Sequence, residues 1–284
     1  MIIITGATGQ LGSRIVERLL ERAPANEVGV SVRDAAKASS LAERGVRVRT
    51  GDFTEPAGLE HAFEGADRVL IISAAIRGDA AVAASKTAVD AARAAGARRI
   101  LYTSHQAASK DSLFAPQLTH ADTEAYLAGL DIPFTALRNG FYASTLGYYV
   151  GAALRTGELV VPEDGPFSWT AHDDLAEAAA IALADDGVLD GVTPPLTAPE
   201  LLDFEAVAAI LSELSGRRIT RVTAGDDEWK AAAVADGVPE PAAEFTLGMF
   251  RAARRGEFAV ADPTLEKLLG RPAIPARAVL QGLI

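Results

Sequence analysis

Short apolar runs alternate with amphipathic stretches along the first half of the chain. Ile2–Thr5, Val28–Val32, Val46–Thr50, Val69–Ser73, Arg99–Thr103 and Phe134–Leu137 read as strands, rich in β-branched residues. Between the first two, Gln10–Arg22 sets Leu11, Ile15, Leu19 and Leu20 at a helical period. Ala35–Glu43 reads as a helix closed by Gly45, and Pro56–Phe63 as a helix with proline in its first turn. Asp79–Ala95 is a long helix stopped by Gly96, and Leu118–Leu130 a further helix after a loop of about fifteen residues. Strands divided by helices of this size predict βαβ units, hence an α/β fold with a parallel sheet covered on both faces. After residue 140 the pattern loosens. Leu159–Val161 and Phe167–Thr170 read as short strands around a Pro162–Pro166 turn, and Asp173–Ala184, Phe204–Ser215 and Asp226–Ala235 as helices. No long polar linker intervenes. The expected division is a dinucleotide-binding domain over residues 1–150 and a smaller α/β substrate lobe over 151–284 packed on it.

The strongest local signal is Gly6-Ala7-Thr8-Gly9-Gln10-Leu11-Gly12, directly after the first strand and opening the first helix. Glycines there allow a tight turn, let backbone N–H groups approach a pyrophosphate at the helix N-terminus, and seat the helix close to the sheet. In this strand–loop–helix context the sheet is expected to be of Rossmann type. The end of the second strand selects the dinucleotide. Ser31-Val32-Arg33-Asp34 offers an arginine fork suited to a 2′-phosphate, which favours NADPH over NADH, although Asp34 is also placed to face a ribose. Asp52, after the third strand, stands where an adenine edge is read, and equally where a turn aspartate belongs. Ser73-Ala74-Ala75 and Thr103-Ser104 follow the fourth and fifth strands and should line the crevice at the carboxyl ends of the sheet.

Charge narrows the partners. Residues 1–150 carry 16 basic and 16 acidic residues, and residues 151–284 carry 11 and 22, so the whole net charge of −11 falls in the second half. Such a surface repels nucleic acid. There is no cysteine, which removes disulfides, thiolate catalysis and cysteine metal sites. His61, His105, His120 and His172 lack metal-ligand spacing, so no metal is expected. No apolar run approaches the length of a membrane span, and the N-terminus has no basic region or cleavage site, so a cytoplasmic location is expected.

Four blocks resemble the NmrA-like branch of the atypical short-chain dehydrogenases: Thr5–Gly12, Val32–Lys37, Tyr102-Thr103-Ser104, and Leu137-Arg138-Asn139-Gly140-Phe141-Tyr142. Within that branch they are similar to the bacterial NAD(P)H:quinone oxidoreductases. The resemblance implies that Gly6, Ala7, Thr8, Gly9, Gln10 and Leu11 cradle the pyrophosphate and Arg33 the 2′-phosphate. It implies that Ser73, Ala74 and Ala75 pass under the nicotinamide side. It implies that Arg138, Asn139, Gly140, Phe141, Tyr142 and Ala143 border nicotinamide and substrate. Two departures stand out: the family is more serine-rich at Ser73–Ala75, and Phe141 stands where it has tryptophan.

The chemistry is read from a missing group. None of the five tyrosines has a lysine four positions on, so the Tyr-x-x-x-Lys acid of carbonyl-reducing relatives is absent. Helix Leu118–Leu130 carries His120 and Glu124 on one face instead. A quinone needs less help than a simple carbonyl, because the hydroquinone anion spreads its charge over a ring and positioning carries most of the catalysis. His120 is then a proton donor or a quinone hydrogen-bond partner, against the alternative of a surface or Glu124-paired histidine. Phe114, Phe141, Tyr142, Phe167 and Trp169 are divided between a flat apolar pocket and ordinary core. The loop His105–Pro116 is long enough for a lid. The expected function is NADPH-dependent quinone reduction without flavin or metal. A non-catalytic NADP(H) redox sensor is the alternative. A small quinone is the expected partner, with a homodimer left open.

Overall fold

The computed structural model describes residues 1–284. The chain runs β1 (Ile2–Thr5), α1 (Gln10–Leu20), β2 (Val28–Val32), α2 (Ser39–Glu43), β3 (Arg47–Thr50), α3 (Pro56–Phe63), β4 (Arg68–Ile71), α4 (Asp79–Ala94), β5 (Arg99–His105), α5 (Ala115–Ala128) and β6 (Phe134–Asn139). It continues through β7 (Phe141–Tyr142), α6 (Gly147–Thr156), β8 (Glu158–Pro162), β9 (Trp169–Thr170), α7 (His172–Ala184), β10 (Gly191–Val192), α8 (Phe204–Ser215), β11 (Thr220–Ala224), α9 (Asp226–Ala235), α10 (Glu240–Arg254), α11 (Thr264–Leu269) and α12 (Ala276–Gln281). Seven strands form one parallel sheet in the order β10-β6-β5-β4-β1-β2-β3. The direction of winding reverses between β1 and β4, which opens a crevice at their carboxyl ends.

Alternation along the strands builds two cores. Ile4, Leu70, Leu101 and Leu137 face one way, onto Leu11, Ile15 and Leu19 of α1 and Leu175, Ala179 and Leu183 of α7. Their neighbours Ile3, Val69, Ile71, Ile100 and Ala136 face the other way, onto Leu59 and Phe63 of α3, Val89 of α4 and Leu127 of α5. A third cluster, with Phe141, Phe167, Trp169, Phe204, Phe250 and Phe258, fills the C-terminal part. No helix is long and apolar enough to cross a membrane.

Several sequence expectations are corrected here. β5 extends through His105 and α5 starts at Ala115, so the connecting loop is shorter than the pattern suggested. The two short strands expected around Pro162–Pro166 are present as β8 and β9, and each pairs with a distant strand, β8 with β11 and β9 with β7, both in parallel. Sequence position 150 does not coincide with a break in packing, because α7 lies along α1 and β10 joins β6 at the sheet edge. Finally, α10 was not legible as an element, although its buried Ala243, Leu247 and Phe250 recur at helical spacing.

Candidate active site at the sheet switch point

The turn after β1 is shaped by its glycines. Gly6 has φ +63°, a region L side chains rarely adopt. Its N–H donates to the Ser31 carbonyl (3.2 Å), and the Gly9 N–H donates to the Gly6 carbonyl (3.0 Å). The N–H groups of Ala7, Thr8, Gln10, Leu11 and Gly12 have no partner within the protein, and no side chain caps the helix. Together with the positive end of the α1 dipole they form an anion cradle. A Cβ on Gly12 would stand 2.2 Å from the Gly6 carbonyl oxygen and 2.8 Å from its carbon. Both atoms are backbone, so Gly12→Ala must push the loop from the helix. We expect a loss of about 1–3 kcal/mol in dinucleotide binding, tenfold or so in Kd. Titration of NADPH fluorescence checks this, and an unchanged Kd would remove the close helix–loop contact from the account.

Arg33 follows β2, is exposed, and makes no ion pair or hydrogen bond. Asp34 is engaged in its own turn, its Oδ1 accepting from the Ala36 N–H (3.1 Å). Asp52 serves the turn after β3: its Oδ1 accepts from the Thr54 hydroxyl (2.7 Å) and N–H (2.8 Å). Those bonds, aided by the charge of Arg33, hold its carboxyl below the usual range. The second carboxylate oxygen makes no hydrogen bond.

Across the switch point, the loop after β4 is tied down on both sides. The Ile72 N–H donates to Thr5 Oγ1 (2.8 Å) and the Ser73 N–H to Thr103 Oγ1 (2.9 Å). A Cβ on Gly6 would come within 3.5 Å of Ile72, so the glycine loop abuts this segment. Beyond it opens a cavity of about 620 Å³, lined among others by Ser73, Ala74, Ala75, Tyr102, His120 and Phe245. His120 Nδ1 and the Tyr102 hydroxyl are 2.8 Å apart. Burial holds the His120 imidazole down at about 4 and pushes the Tyr102 hydroxyl up to about 12, so both are neutral near pH 7. His120 is therefore a cavity residue and not a surface one. Its expected neighbour Glu124 is committed elsewhere, accepting from Arg138 Nε (2.9 Å) and Nη2 (2.7 Å) and from Ser104 Oγ (2.5 Å).

The Arg138–Ala143 block divides. Arg138 is held by Glu124, and Asn139 at the end of β6 is buried with its Oδ1 unpartnered. Gly140 is required by close approach, since a Cβ would lie 2.1 Å from Thr170 Oγ1 and 2.9 Å from the Leu196 carbonyl oxygen. The Phe141 ring is a correction: it sits in the third core against Phe167, Trp169 and Phe258, outside the cavity. Adjacent strand residues point to opposite faces, so Tyr142 turns the other way and packs on His172, ring centroids 4.4 Å apart. Ala143 is fully buried. Phe167 and Trp169 are core as well, whereas Phe114 reaches the cavity wall through Phe245 (5.0 Å). Sequence reasoning singled out the Tyr102-Thr103-Ser104 block but not the Tyr102 hydroxyl as a partner of His120, and it missed the α10 wall.

An extended dinucleotide fits these residues. Free N–H groups stand at the centre, an unpaired arginine on the β2 side, and a largely apolar cavity beyond β4, while Asn139 at the end of β6 keeps a buried amide oxygen unpartnered. Fold and crevice define a Rossmann-type dinucleotide-binding protein. The model of the NmrA-like family matches residues 1–271, and the chain belongs to that family. It is 33% identical over 273 residues to quinone oxidoreductase 2 of Escherichia coli, covering 96% of this chain and 94% of that protein. It is 31% identical to an NAD(P)H azoreductase of Xenophilus azovorans, covering 96% and 94%. The crystal structure of the Citrobacter sp. triphenylmethane reductase complexed with NADP(H) superposes with a TM-score of 0.94 at 33% identity, over the whole of both chains.

Proposed function

We propose that this NADPH-dependent oxidoreductase reduces quinones. The carrying observation is the cavity beside the glycine loop, in which the neutral pair Tyr102 and His120 stands on a largely apolar wall whose charged residues lie toward α4 and α10. Bound NADPH supplies a hydride at its nicotinamide ring. Arg33 reads the 2′-phosphate, the free N–H groups of Ala7, Thr8, Gln10, Leu11 and Gly12 hold the pyrophosphate, and the Ser73–Ala75 loop bears on the nicotinamide side. Ala74, Ala75 and Phe245 exclude water and pack a flat ring. Tyr102 and His120 orient a carbonyl oxygen by hydrogen bonding. Neither is a strong acid near neutrality, which suits an acceptor whose reduced form is a stable anion that solvent protonates. Supporting this reading, E. coli quinone oxidoreductase 2 aligns along nearly the full chain.

The test is NADPH consumption with 1,4-benzoquinone. Turnover well above the uncatalysed mixture is expected. A rate equal to it, with NADPH still bound, would replace the enzyme with a redox sensor. Arg33→Ala is expected to weaken NADPH by about 2 kcal/mol, roughly thirtyfold, and NADH much less. Equal losses for the two coenzymes would sink the assignment of Arg33.

A further inference from the structure

The cavity wall holds one cation without a counter-charge. Arg77 lies between β4 and α4, is exposed, and forms no ion pair or hydrogen bond. Its guanidinium carbon stands 4.3 Å from the centroid of the Phe245 ring on α10. The other lining charges are already matched. Glu244 accepts from Arg251 Nη1 (2.7 Å) and lies 3.4 Å from Lys230 Nζ. Arg251 also donates to Asp226 (3.1 Å), which Arg254 holds as well (2.9 Å). Arg77 is thus the unmatched charge of the lining, in a chain whose net charge is −11.

The backbone beside it adds the same sign. Gly78 and Ala81 line the cavity, Gly78 is the N-cap of the sixteen-residue α4, and no side chain caps that helix. The positive end of α4 therefore opens beside Arg77. Asp79 in its first turn is exposed and makes no ion pair with Arg77. A guanidinium stacked on an aromatic face is held flat, and its free edge matches a carboxylate or sulfonate with two parallel hydrogen bonds. The rest of the wall, with Ala74, Ala75, Ile76 and Leu113, takes an apolar ring.

We infer that the cavity selects flat aromatic acceptors bearing a negative group, carboxylated or sulfonated quinones, and that Arg77 is the residue that reads this charge. The inference rests on the quinone reading and goes beyond it in naming the substrate class. The anionic group takes no part in the two-electron reduction; it anchors the ring.

Two measurements separate this from the reaction itself. In the first, 2-naphthalenesulfonate and 2-naphthol are titrated by calorimetry into the protein saturated with NADP⁺, so that the dinucleotide phosphate sites are filled. The sulfonate is expected to bind about tenfold tighter. The preference should shrink with added salt, collapse toward unity in Arg77→Gln, and be partly kept in Arg77→Lys. In the second, kcat/KM is compared for 1,2-naphthoquinone-4-sulfonate and 1,2-naphthoquinone. The ratio within each variant is read, which general damage to the protein does not move. A wild-type ratio near ten that falls to about one in Arg77→Gln, through KM, supports the inference. Equal binding of sulfonate and naphthol by the wild type overturns it, as does a preference that survives in Arg77→Gln. A sulfonate preference with no turnover of either quinone supports the anion site and overturns the quinone reading.

Discussion

Lowering the pH from 7.5 to 5 should strip about 2–4 kcal/mol from the unfolding free energy, long before most carboxylates titrate. The cause is three histidines held neutral by the fold. Burial, with the neighbouring His120, takes His105 down to about 3. Burial takes His120 to about 4, and burial together with Arg14 takes His172 to about 4. All three begin near 6.5 in the unfolded chain. With folded values below unfolded ones, the unfolded state binds protons first as pH falls. The stabilisation is complete above about 6.5 and is lost as pH drops toward the folded values. Each histidine contributes at most about 1.4 kcal/mol per pH unit in that window, and water entry and local relaxation reduce the sum. Geometry gives the same sign. His105 Nδ1 accepts from the Ala107 N–H (3.4 Å) and from Gln117 Nε2 (2.6 Å), and a proton there would set donor against donor. Denaturant midpoints at pH 7.5, 6 and 5 provide the check, with His120→Gln expected to flatten the slope by about one proton. A midpoint that does not move across this range would show that the imidazoles are solvated.

How much of this was readable beforehand follows from which forces are local. Strand and helix positions in the first half depend on periodicity and turn residues, which neighbouring residues carry. Val28–Val32 and Pro56–Phe63 accordingly match their elements residue for residue. The glycine loop was legible because its steric demands are local too. What failed was long-range. Nothing in Phe141-Tyr142 says which ring meets the third core and which meets His172, since that depends on β7 pairing with β9. The α10 wall was missed because its apolar stripe acquires meaning only against α9 and the aromatic cluster. The unmatched Arg77 is a fact about what the other charges found as partners. His120 and Glu124 do share a helix, as their spacing required, yet their partners, Tyr102 on one side and Arg138 on the other, lie on β5 and β6.

Glu124→Ala should cost about 3–5 kcal/mol of stability, enough to lower Tm by roughly 10 °C in a chain of this size. The Glu124 side chain is 7% exposed and receives two bonds from Arg138 and one from Ser104. Truncating it leaves a guanidinium half buried in β6 with no counter-charge, and an unpaired hydroxyl in β5. The loss should exceed that from replacing both partners with apolar residues, so Glu124→Leu with Arg138→Met is expected to recover most of it. Calorimetric melting of the single and double variants decides this. A single variant within about 1 kcal/mol of wild type would mean that Arg138 finds solvent instead. The consequence for function is positional. Glu124 joins α5, β5 and β6, and these same elements carry His120, Tyr102 and Asn139 to the crevice. We expect Arg138 to act on the site by bracing the helix that bears His120, and if the acceptor is the proposed quinone, its KM should rise in Glu124→Ala well below the melting temperature.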